Sequence, residues 1–227
     1  MNWVSAYVEK EMIQFNCFRT CTVPKIINKI KGYNYISFDI FDTLLRRKVL
    51  HPTDVFTIVG EKNGDFSFKE KRIKAEIEAR QHATGEEVTL DDIYKELGKE
   101  YETYKQDELE VESNQLSANP FLFEAYRYCQ SQGKQIIITS DMYLPKVFLQ
   151  KILHQNGIVF DHCFVSSEYG VQKVTGRLFR KELEALHISP SQIIHVGDSV
   201  RADAIGAWRA GIKFVLIPKA SSFSIKR

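Results

Sequence analysis

The polar side chains best suited to chemistry in this chain each follow a short apolar run. The ends of these runs read ISFD with Asp39, IIITSD with Thr139, Ser140 and Asp141, CFVSS with Ser166 and Ser167, and IIHVGDS with Asp198. Lys173 follows the third run by a few residues. An aspartate at the end of a buried strand can act as a nucleophile, because the strand fixes its position while the open edge of the sheet admits substrate.

A second carboxylate beside that nucleophile would repel it unless a cation lay between them. Mg²⁺ suits this position, since it prefers hard oxygen ligands and is held by one or two carboxylates together with water and substrate phosphate. Asp198 is the second carboxylate, and Asp203 lies five residues further on, near the start of the next helix. Ser140 could hold phosphate oxygens, and Lys173 could neutralise charge on a transferring group.

The elements that must position these residues read as a parallel α/β sheet. Apolar runs at 135–139, 163–166, 193–196 and 213–217 alternate with helical stretches at 145–154, 175–187 and 202–210. Continuous apolar strands alternating with helices predict a doubly wound, Rossmann-like sheet covered on both faces. A further strand at 35–39 belongs to the same sheet. Ligands bind at the carboxyl ends of such strands, where the candidate residues stand.

A long helical insertion separates the first strand from the others. We predict three parts: an N-terminal helical extension at 1–32, a core at 33–47 and 128–227, and a helical cap at 48–127. Within the cap, Thr89-Leu-Asp-Asp92 is typical of a capping box at the start of a helix. Asn119-Pro120 predicts the start of another helix, which Gly133 ends.

Composition places the chain among ordinary globular proteins. Of 227 residues, 44% are hydrophobic and 26% charged, and the formal net charge is only +2. This balance argues against a dedicated nucleic-acid binder. No apolar run reaches the roughly 18 residues needed to span a bilayer, and Glu9, Lys10 and Glu11 interrupt any signal-peptide core. With only four scattered cysteines (Cys17, Cys21, Cys129 and Cys163), we expect reduced thiols in a cytoplasmic protein without membrane insertion.

Together the four strand ends resemble the haloacid dehalogenase (HAD) superfamily. The matching motifs are Asp39-Ile-Phe-Asp-Thr43, a strand ending in Ser140 (with Thr139 as an alternative register), Lys173, and Gly197-Asp198-Ser-Val-Arg-Ala-Asp203. Each motif alone is weak, but all of them in order, each on an apolar run, are specific. The resemblance covers nearly the whole chain.

The resemblance implies a role for each matched residue. Asp39 would form an aspartyl-phosphate. Asp39, the backbone carbonyl of Phe41 and Asp198 would hold Mg²⁺, with Asp203 supporting the metal directly or through water. Thr43 and Ser140 would position the phosphate, and Lys173 would bridge nucleophile and phosphoryl group. Asp141 and Arg47 are further candidates for phosphate or substrate binding. The insertion matches the superfamily's cap, which implies a small phosphate ester as substrate.

Two segments look like a narrower HAD subgroup. SFDIFDTLLRR and ITSDMYLP are similar to members often associated with surface-polysaccharide glycosyltransferases. This resemblance implies a sugar phosphate or similar metabolite as substrate and a glycosyltransferase as a candidate partner. The amphipathic stretch from Trp3 to Ile30 could pack on the core, or form a homodimer or partner surface.

One position departs from the phosphatase pattern. Phe41 stands two residues after Asp39, where HAD phosphatases carry the aspartate that protonates the leaving group and activates water. Loss of a general acid–base group lowers the reaction rate by about 10²- to 10⁴-fold. Asp42 is the nearest substitute carboxylate.

Because of Phe41, three hypotheses about the function remain open. A Mg²⁺-dependent phosphohydrolase is the favoured one. Haloalkanoic acid dehalogenases carry an aromatic residue at this position, since halide needs no proton. A non-catalytic HAD-fold binding protein is the third.

Other polar residues have simpler structural interpretations. Arg72, Glu76 and Arg80 stand four apart and predict a ladder of ion pairs on one helix face. His195, inside an apolar run, predicts a buried, hydrogen-bonded histidine. Tyr143 could face the cleft or pack on the cap.

Overall fold

The computed structural model describes residues 21–220, and within them lies one parallel sheet. The amphipathic positions between Trp3 and Phe18, and Cys17, lie outside the described residues. The strands are β1 (Tyr35–Phe38), β4 (Gln135–Ser140), β5 (His162–Val165), β6 (Ile193–Gly197) and β7 (Lys213–Leu216). In the described part of the chain these five strands run in the order β5-β4-β1-β6-β7, all parallel. The predicted parallel sheet is confirmed.

The register aligns the ends of the central strands. Phe38 of β1 lies opposite Ile138 of β4 and Val196 of β6. The ladder continues one step further, because the Asp39 amide donates to the Val196 carbonyl over 3.0 Å. The polar residues that follow β1, β4 and β6 are therefore brought to one edge of the sheet.

Helices cover both faces of this sheet, as the nearly continuous burial along the central strands requires. They are α1 (Val23–Ile30), α6 (Pro120–Ser131), α7 (Lys146–Gln155), α8 (Ser166–Tyr169), α9 (Arg177–Leu186) and α10 (Gly206–Arg209), with a 3₁₀ turn at Pro190–Gln192 and a π-helical turn at Val200–Ile205. Phe38 and Ile138 pack into one apolar cluster, whereas Ile137 and Phe179 pack into a second. Between residues 21 and 220, no helix has the length and apolar character required to cross a membrane.

The insertion after β1 forms a helical unit on a small two-stranded base. It contains α2 (Asp54–Asn63), α3 (Phe68–His82), α4 (Leu90–Leu97), a 3₁₀ turn at Lys99–Tyr101 and α5 (Glu102–Gln115). Its base is the antiparallel pair β2 (Leu45–Arg47) and β3 (Leu116–Ala118). The predicted capping box forms, with the Asp92 amide donating to Thr89 Oγ1 over 3.1 Å and the Thr89 amide donating to Asp92 over 2.9 Å.

The contacts of α6 favour an earlier end to the cap than the predicted boundary at 127. Leu122, Tyr126 and Cys129 of α6 are buried in the cluster that also holds Phe38 of β1. The Tyr126 hydroxyl donates to the Val159 carbonyl over 3.0 Å. We therefore propose that the β2–β3 pair marks the boundary and that α6 belongs to the core.

A buried arginine lies at the centre of the cap. Arg72 is 0% exposed, and its guanidinium donates to both oxygens of Glu108, over 2.8 and 2.9 Å. The predicted ladder also forms, since Glu76 accepts from Arg72 over 3.2 Å and from Arg80 over 3.0 Å. The guanidinium carbon lies 4.9 Å from the ring centre of Tyr143, so Tyr143 links the core loop after β4 to the cap.

We predict that Asn119→Ala lowers the free energy of unfolding by about 1–3 kcal/mol, measured by urea denaturation. Asn119 accepts from the Phe121 amide over 3.2 Å at the start of α6, and its Nδ2 donates to the Thr43 carbonyl over 2.8 Å. As a matched variant, Asn119→Asp keeps the acceptor and loses the donor, so it separates the two contributions. A loss below about 0.5 kcal/mol for Asn119→Ala would contradict this role.

Candidate active site

A buried lysine lies between two carboxylates at the carboxyl edge of the sheet. Lys173 Nζ is 2.6 Å from Asp39 Oδ1 and 2.6 Å from Asp203 Oδ1. Asp203 also accepts from the Ser199 amide over 2.7 Å and contacts His195 Nε2 at 3.0 Å. Asp39 follows β1 directly, whereas Lys173 comes from the loop between α8 and α9. The sheet thus brings together residues that are far apart in the sequence.

Burial and these ion pairs set the charge states of the group. Burial raises the pKa of Asp39 to about 7, although the neighbouring Lys173 opposes this. Burial also acts to raise the pKa of Asp203, but the charge of Lys173 and the contact with His195 hold it below its ordinary value. For Lys173, the charges of Asp203 and Asp39 outweigh burial and raise its pKa. Asp203 and Lys173 are therefore the charged pair, and Asp39 loses its proton less readily than an exposed aspartate does.

Asp198 completes an acidic cluster whose chemistry suits a divalent cation. Ligand oxygens of Asp39, Asp198 and Asp203, all in the described range 21–220, lie within 4.8 Å of one another. Burial, together with the charges of Asp39 and Asp203, raises the pKa of Asp198 well above its ordinary value. Lys219 Nζ lies 3.7 Å from Asp198, but its side chain is 43% exposed. Buried carboxylate oxygens this close are a fitting ligand set for a hard cation.

Two glycines allow the backbone to approach this cluster closely. A Cβ atom added at Gly197 would overlap the carboxylate of Asp203. A Cβ added at Gly206 would overlap the backbone carbonyl of Lys173. Glycine at both positions therefore lets Asp203 and Lys173 lie directly against the end of β6 and the following turn.

The two hydroxyl residues that end β4 point to different surroundings, as strand alternation requires. Ser140 Oγ is buried and has no hydrogen-bond partner within residues 21–220. Thr139 Oγ1 instead lies 2.9 Å from Ser37 Oγ and 2.9 Å from Glu182 Oε2. Thr43 Oγ1 donates to Asp198 over 3.4 Å. Ser140 is therefore the hydroxyl left available for a ligand, which favours its register over that of Thr139.

The side chain of Asp141 contacts the backbone of the loop that carries Lys173. The Lys173 amide donates to Asp141 Oδ1 over 2.7 Å, and burial raises the pKa of Asp141 to about 6. This carboxyl group therefore holds the segment that carries Lys173. The sequence predicted a different role for Asp141, contact with phosphate or substrate.

The side chains of Phe41 and Arg47 pack against each other. The Arg47 guanidinium lies 4.3 Å from the ring centre of Phe41 and is 2.7 Å from Glu112 Oε1. Arg47, predicted as a substrate contact, is thus ion-paired with the cap helix α5. Asp42 has a left-handed backbone, with φ 56°.

A second layer of polar side chains runs beneath the sheet edge. His195 is 0% exposed, as predicted, and its Nδ1 lies 2.8 Å from Ser37 Oγ. From Ser37 the contacts continue through Thr139 to Glu182. Sequence reasoning missed Ser37 and Glu182. A serine inside an apolar strand was the available signal for the first, whereas Glu182 looks like any charged residue of an amphipathic helix.

Comparison with known proteins assigns the family. A family model described as haloacid dehalogenase-like hydrolase matches residues 33–211. The chain therefore belongs to the haloacid dehalogenase-like hydrolases, as its motifs indicated. A glyceraldehyde 3-phosphate phosphatase from Pyrococcus furiosus is 38% identical over 56 residues, which are 25% of this chain and 23% of that protein. The chain thus matches less than a quarter of the length of this relative.

Solved structures with different activities share the fold. A HAD phosphatase from Thermococcus onnurineus has a TM-score of 0.60 at 20% identity, with 81% of this chain and 86% of that chain covered. The HAD-hydrolase YfnB from Bacillus subtilis, bound to magnesium, has 0.59 at 20% identity, with 81% and 88% covered. L-2-haloacid dehalogenase from Xanthobacter autotrophicus has 0.58 at 17% identity, with 81% and 77% covered. The fold therefore does not decide between phosphate and halide chemistry.

We predict that Lys173→Met lowers the free energy of unfolding at pH 7 by about 3–5 kcal/mol, because Asp39 and Asp203 lose their only shared buried cation among residues 21–220. Urea denaturation in the presence of chelator measures this loss. Lys181→Met, which removes a lysine whose side chain is 50% exposed, should change little. Equal effects of the two substitutions would show that the buried pair contributes nothing.

Proposed function

We propose that this protein is a divalent-cation-dependent phosphohydrolase that forms an aspartyl-phosphate on Asp39. The observation that carries the proposal is the joint arrangement of Asp39 against Lys173 at 2.6 Å, within a cluster of three carboxylates. The unpartnered Ser140 hydroxyl at the same strand edge supports it. Attack of a carboxylate on a dianionic phosphate ester builds up negative charge in the transition state, which lysine, hydroxyl and cation together stabilise, whereas displacement of a halide builds up no such charge at the reacting centre.

Mg²⁺ is the proposed cation, held by Asp39, Asp198 and the Phe41 carbonyl, with Asp203 directly or through water. A cation held there favours ionised Asp39 and neutralises phosphate charge. Lys173 keeps Asp39 oriented through its 2.6 Å contact. Ser140 and Thr43 are proposed to donate to phosphate oxygens, with the Thr43 hydroxyl turning from Asp198 to the phosphate.

The reaction then takes two displacements. Asp39 attacks phosphorus, a P–O bond forms to its carboxylate, and the ester P–O bond breaks to release the leaving group as an alkoxide or phenolate. Water next attacks the aspartyl-phosphate, which releases inorganic phosphate and restores Asp39. Phe41 supplies no proton to either step, so the first step favours esters whose leaving group is a weak base.

The substrate is proposed to be a sugar phosphate or a similar small phosphorylated metabolite. The cap supports a small substrate, because it closes the site: Asp39 is 7% exposed and Lys173 2%. Cap loop residues Glu86 and Glu87 contact the core, with Glu87 accepting from Ser166 over 2.9 Å and Glu86 accepting from the Gln172 amide over 2.9 Å. Substrate entry therefore requires these contacts to open. A glycosyltransferase partner remains a prediction from the sequence resemblance.

We predict phosphate release from para-nitrophenyl phosphate with Mg²⁺ and none with chelator, since the phenolate leaves without protonation. Asp39→Asn should lower kcat by about 10³-fold or more. Asp91→Asn, a change in a cap residue whose side chain is 76% exposed, is the matched control and should retain activity. A sugar-phosphate panel assayed in parallel tests alkyl esters. No release from any ester by folded protein with Mg²⁺ would refute the phosphohydrolase.

We predict that Mg²⁺ raises the unfolding temperature of the wild-type protein, because a ligand of the folded state stabilises it by mass action. Asp198→Asn should abolish this rise, as a proposed ligand is lost. Differential scanning fluorimetry with a Mg²⁺ titration measures both. An undiminished Mg²⁺ response in Asp198→Asn would exclude Asp198 as a ligand, whatever the catalytic result.

Haloacid dehalogenation is the second candidate, and Phe41 is the observation that favours it. The aromatic ring lies under the Arg47 guanidinium at 4.3 Å, in a position where halide chemistry requires no acid. Chloride release from 2-chloropropionate, independent of Mg²⁺, would select this function. Asp198 argues against it, since a metal-free reaction gains nothing from a further buried carboxylate beside Asp39 and Asp203.

A further inference from the structure

Glu182 of α9 is a buried carboxyl group that the proposed reaction does not use. It is 0% exposed, its Oε2 lies 2.9 Å from Thr139 Oγ1, and its Oε1 has no hydrogen-bond partner in the described range 21–220. An ionised carboxylate here would leave a charged oxygen buried and unsatisfied, which costs far more than a neutral carbonyl oxygen in the same place. The geometry therefore favours the protonated acid.

A chain of short contacts connects Glu182 to the active site. From Thr139 Oγ1 the next atom is Ser37 Oγ at 2.9 Å, then His195 Nδ1 at 2.8 Å, and His195 Nε2 lies 3.0 Å from Asp203 Oδ1. Each hydroxyl has one hydrogen to donate, so all the donors along the chain must point the same way. If Glu182 donates to Thr139, then Thr139 donates to Ser37 and Ser37 donates to His195 Nδ1. The remaining ring hydrogen is then on Nε2 and donates to Asp203.

Ionised Glu182 imposes the opposite direction, because a carboxylate can only accept. Thr139 would then donate to Glu182, Ser37 to Thr139, and His195 Nδ1 to Ser37. Neutral His195 would turn the lone pair of Nε2 toward the ionised Asp203, and the two would repel. The protonation state of Glu182 therefore determines whether Nε2 of His195 presents a hydrogen or a lone pair to Asp203.

The charges around Glu182 leave it without a countercharge at hydrogen-bond distance within the described residues. The charge of Lys173 acts on Glu182, but Lys173 is already shared by Asp39 and Asp203. Burial raises the pKa of Glu182 to about 8, against smaller opposing effects of Thr139, Ser37 and Lys173. Geometry and electrostatics thus agree on the same protonation state.

We propose that Glu182 is a positioning residue that holds a proton in the working enzyme and, through Thr139 and Ser37, makes His195 donate to Asp203. Asp203 is thereby held against Lys173, which in turn orients Asp39. The effect on turnover rests on the proposed phosphohydrolase. The proton on Glu182 does not, because it follows from the buried contacts alone.

Two substitutions separate the donor from the volume of the side chain. Glu182→Gln keeps a donor toward Thr139 and should retain kcat/KM for para-nitrophenyl phosphate within about 2-fold at pH 7. Glu182→Leu keeps the volume and removes the donor, so it should lower kcat/KM by about 10- to 100-fold, as loss of a group that orients a metal ligand does. Glu184→Gln, on the same helix with its side chain 66% exposed, is the control and should match the wild type.

The pH profile gives a readout that a merely structural role would not change. As pH rises through about 8, wild-type activity should fall because Glu182 loses its proton and the donors reverse. Glu182→Gln should lack this fall, since an amide does not titrate. Identical alkaline profiles for the two proteins would overturn the proposal.

Two measurements test the proton without any substrate. Infrared difference spectra between wild type and Glu182→Gln at pH 7 should show the carbonyl band of a neutral carboxylic acid in the wild type only. In the unfolded chain Glu182 titrates near 4.5, and in the folded chain near 8. Its protonation therefore stabilises the wild type fully below pH 4.5, and this contribution is lost as pH rises through about 8. The unfolding temperature of Glu182→Gln relative to wild type should rise over the same interval.

The outcomes distinguish this proposal from the proposed function. An absent acid band, with a constant difference in unfolding temperature between pH 5 and pH 9, would refute a protonated Glu182 even in an active enzyme. Equal activity of Glu182→Leu and Glu182→Gln would refute its positioning role. Failure of the wild type on every ester would refute the phosphohydrolase, while the band and the pH-dependent difference in unfolding temperature would still establish the proton. If Glu182→Leu does not fold, Glu182→Gln and the spectra decide.

Discussion

The ion contacts of Lys173 with Asp39 and Asp203 are the constraint on which the rest of the site depends. Three carboxylates, those of Asp39, Asp198 and Asp203, meet at one edge of the sheet among the described residues, and without a buried cation their repulsion would oppose folding. Lys173 offsets two of these charges, each at 2.6 Å. Lys219 lies farther from Asp198, at 3.7 Å, and its side chain is 43% exposed, so a divalent cation beside Asp198 would offset charge in addition to the charge that Lys173 offsets. The segment that carries Lys173 is held by the hydrogen bond from the Lys173 amide to Asp141, and Gly206 leaves room for the Lys173 carbonyl.

The same interaction explains why a second layer of polar groups lies beneath the sheet. Asp203 can orient Lys173 only if the Asp203 carboxylate is itself held in place. His195 and the Ser199 backbone amide hold it. His195 in turn depends on Ser37 and Thr139, because a neutral imidazole presents a donor on one side and an acceptor on the other. This series of hydrogen-bonded side chains ends at Glu182, which is separated from Asp203 by three intervening side chains. The helix that carries this residue therefore influences the site without lining it.

The fold alone leaves the reaction undecided, since phosphatases and a dehalogenase share it with this chain. The decision is made by a few side chains at the sheet edge. Phe41 removes the usual acid from the position two residues after Asp39, so efficient cleavage requires a weakly basic leaving group, a halide, or a proton from another residue, of which Asp42 is the nearest carboxylate in the sequence. Ser140 and the acidic cluster favour a phosphoryl group. The loop between α3 and α4 contacts the segments that follow β4 and β5, and such contacts would help to exclude water from the site during a reaction.

The sequence by itself determined the five strands of the parallel sheet and their order along the chain, the helix caps and the candidate residues Asp39, Lys173 and Asp198, but it did not predict the pair β2 and β3. These depend on local periodicity, on turn residues and on the rule that parallel strands place their carboxyl ends together. Only the tertiary structure decided that Arg72 is wholly buried among aromatic rings, and that Glu182 joins a hydrogen-bonded chain beneath the site. Both residues stand in charged helical stretches whose pattern predicts solvent exposure. Whether such a charge meets water or a buried partner depends on contacts between distant segments, such as the 43 residues that separate Thr139 from Glu182, and local spacing does not encode those contacts.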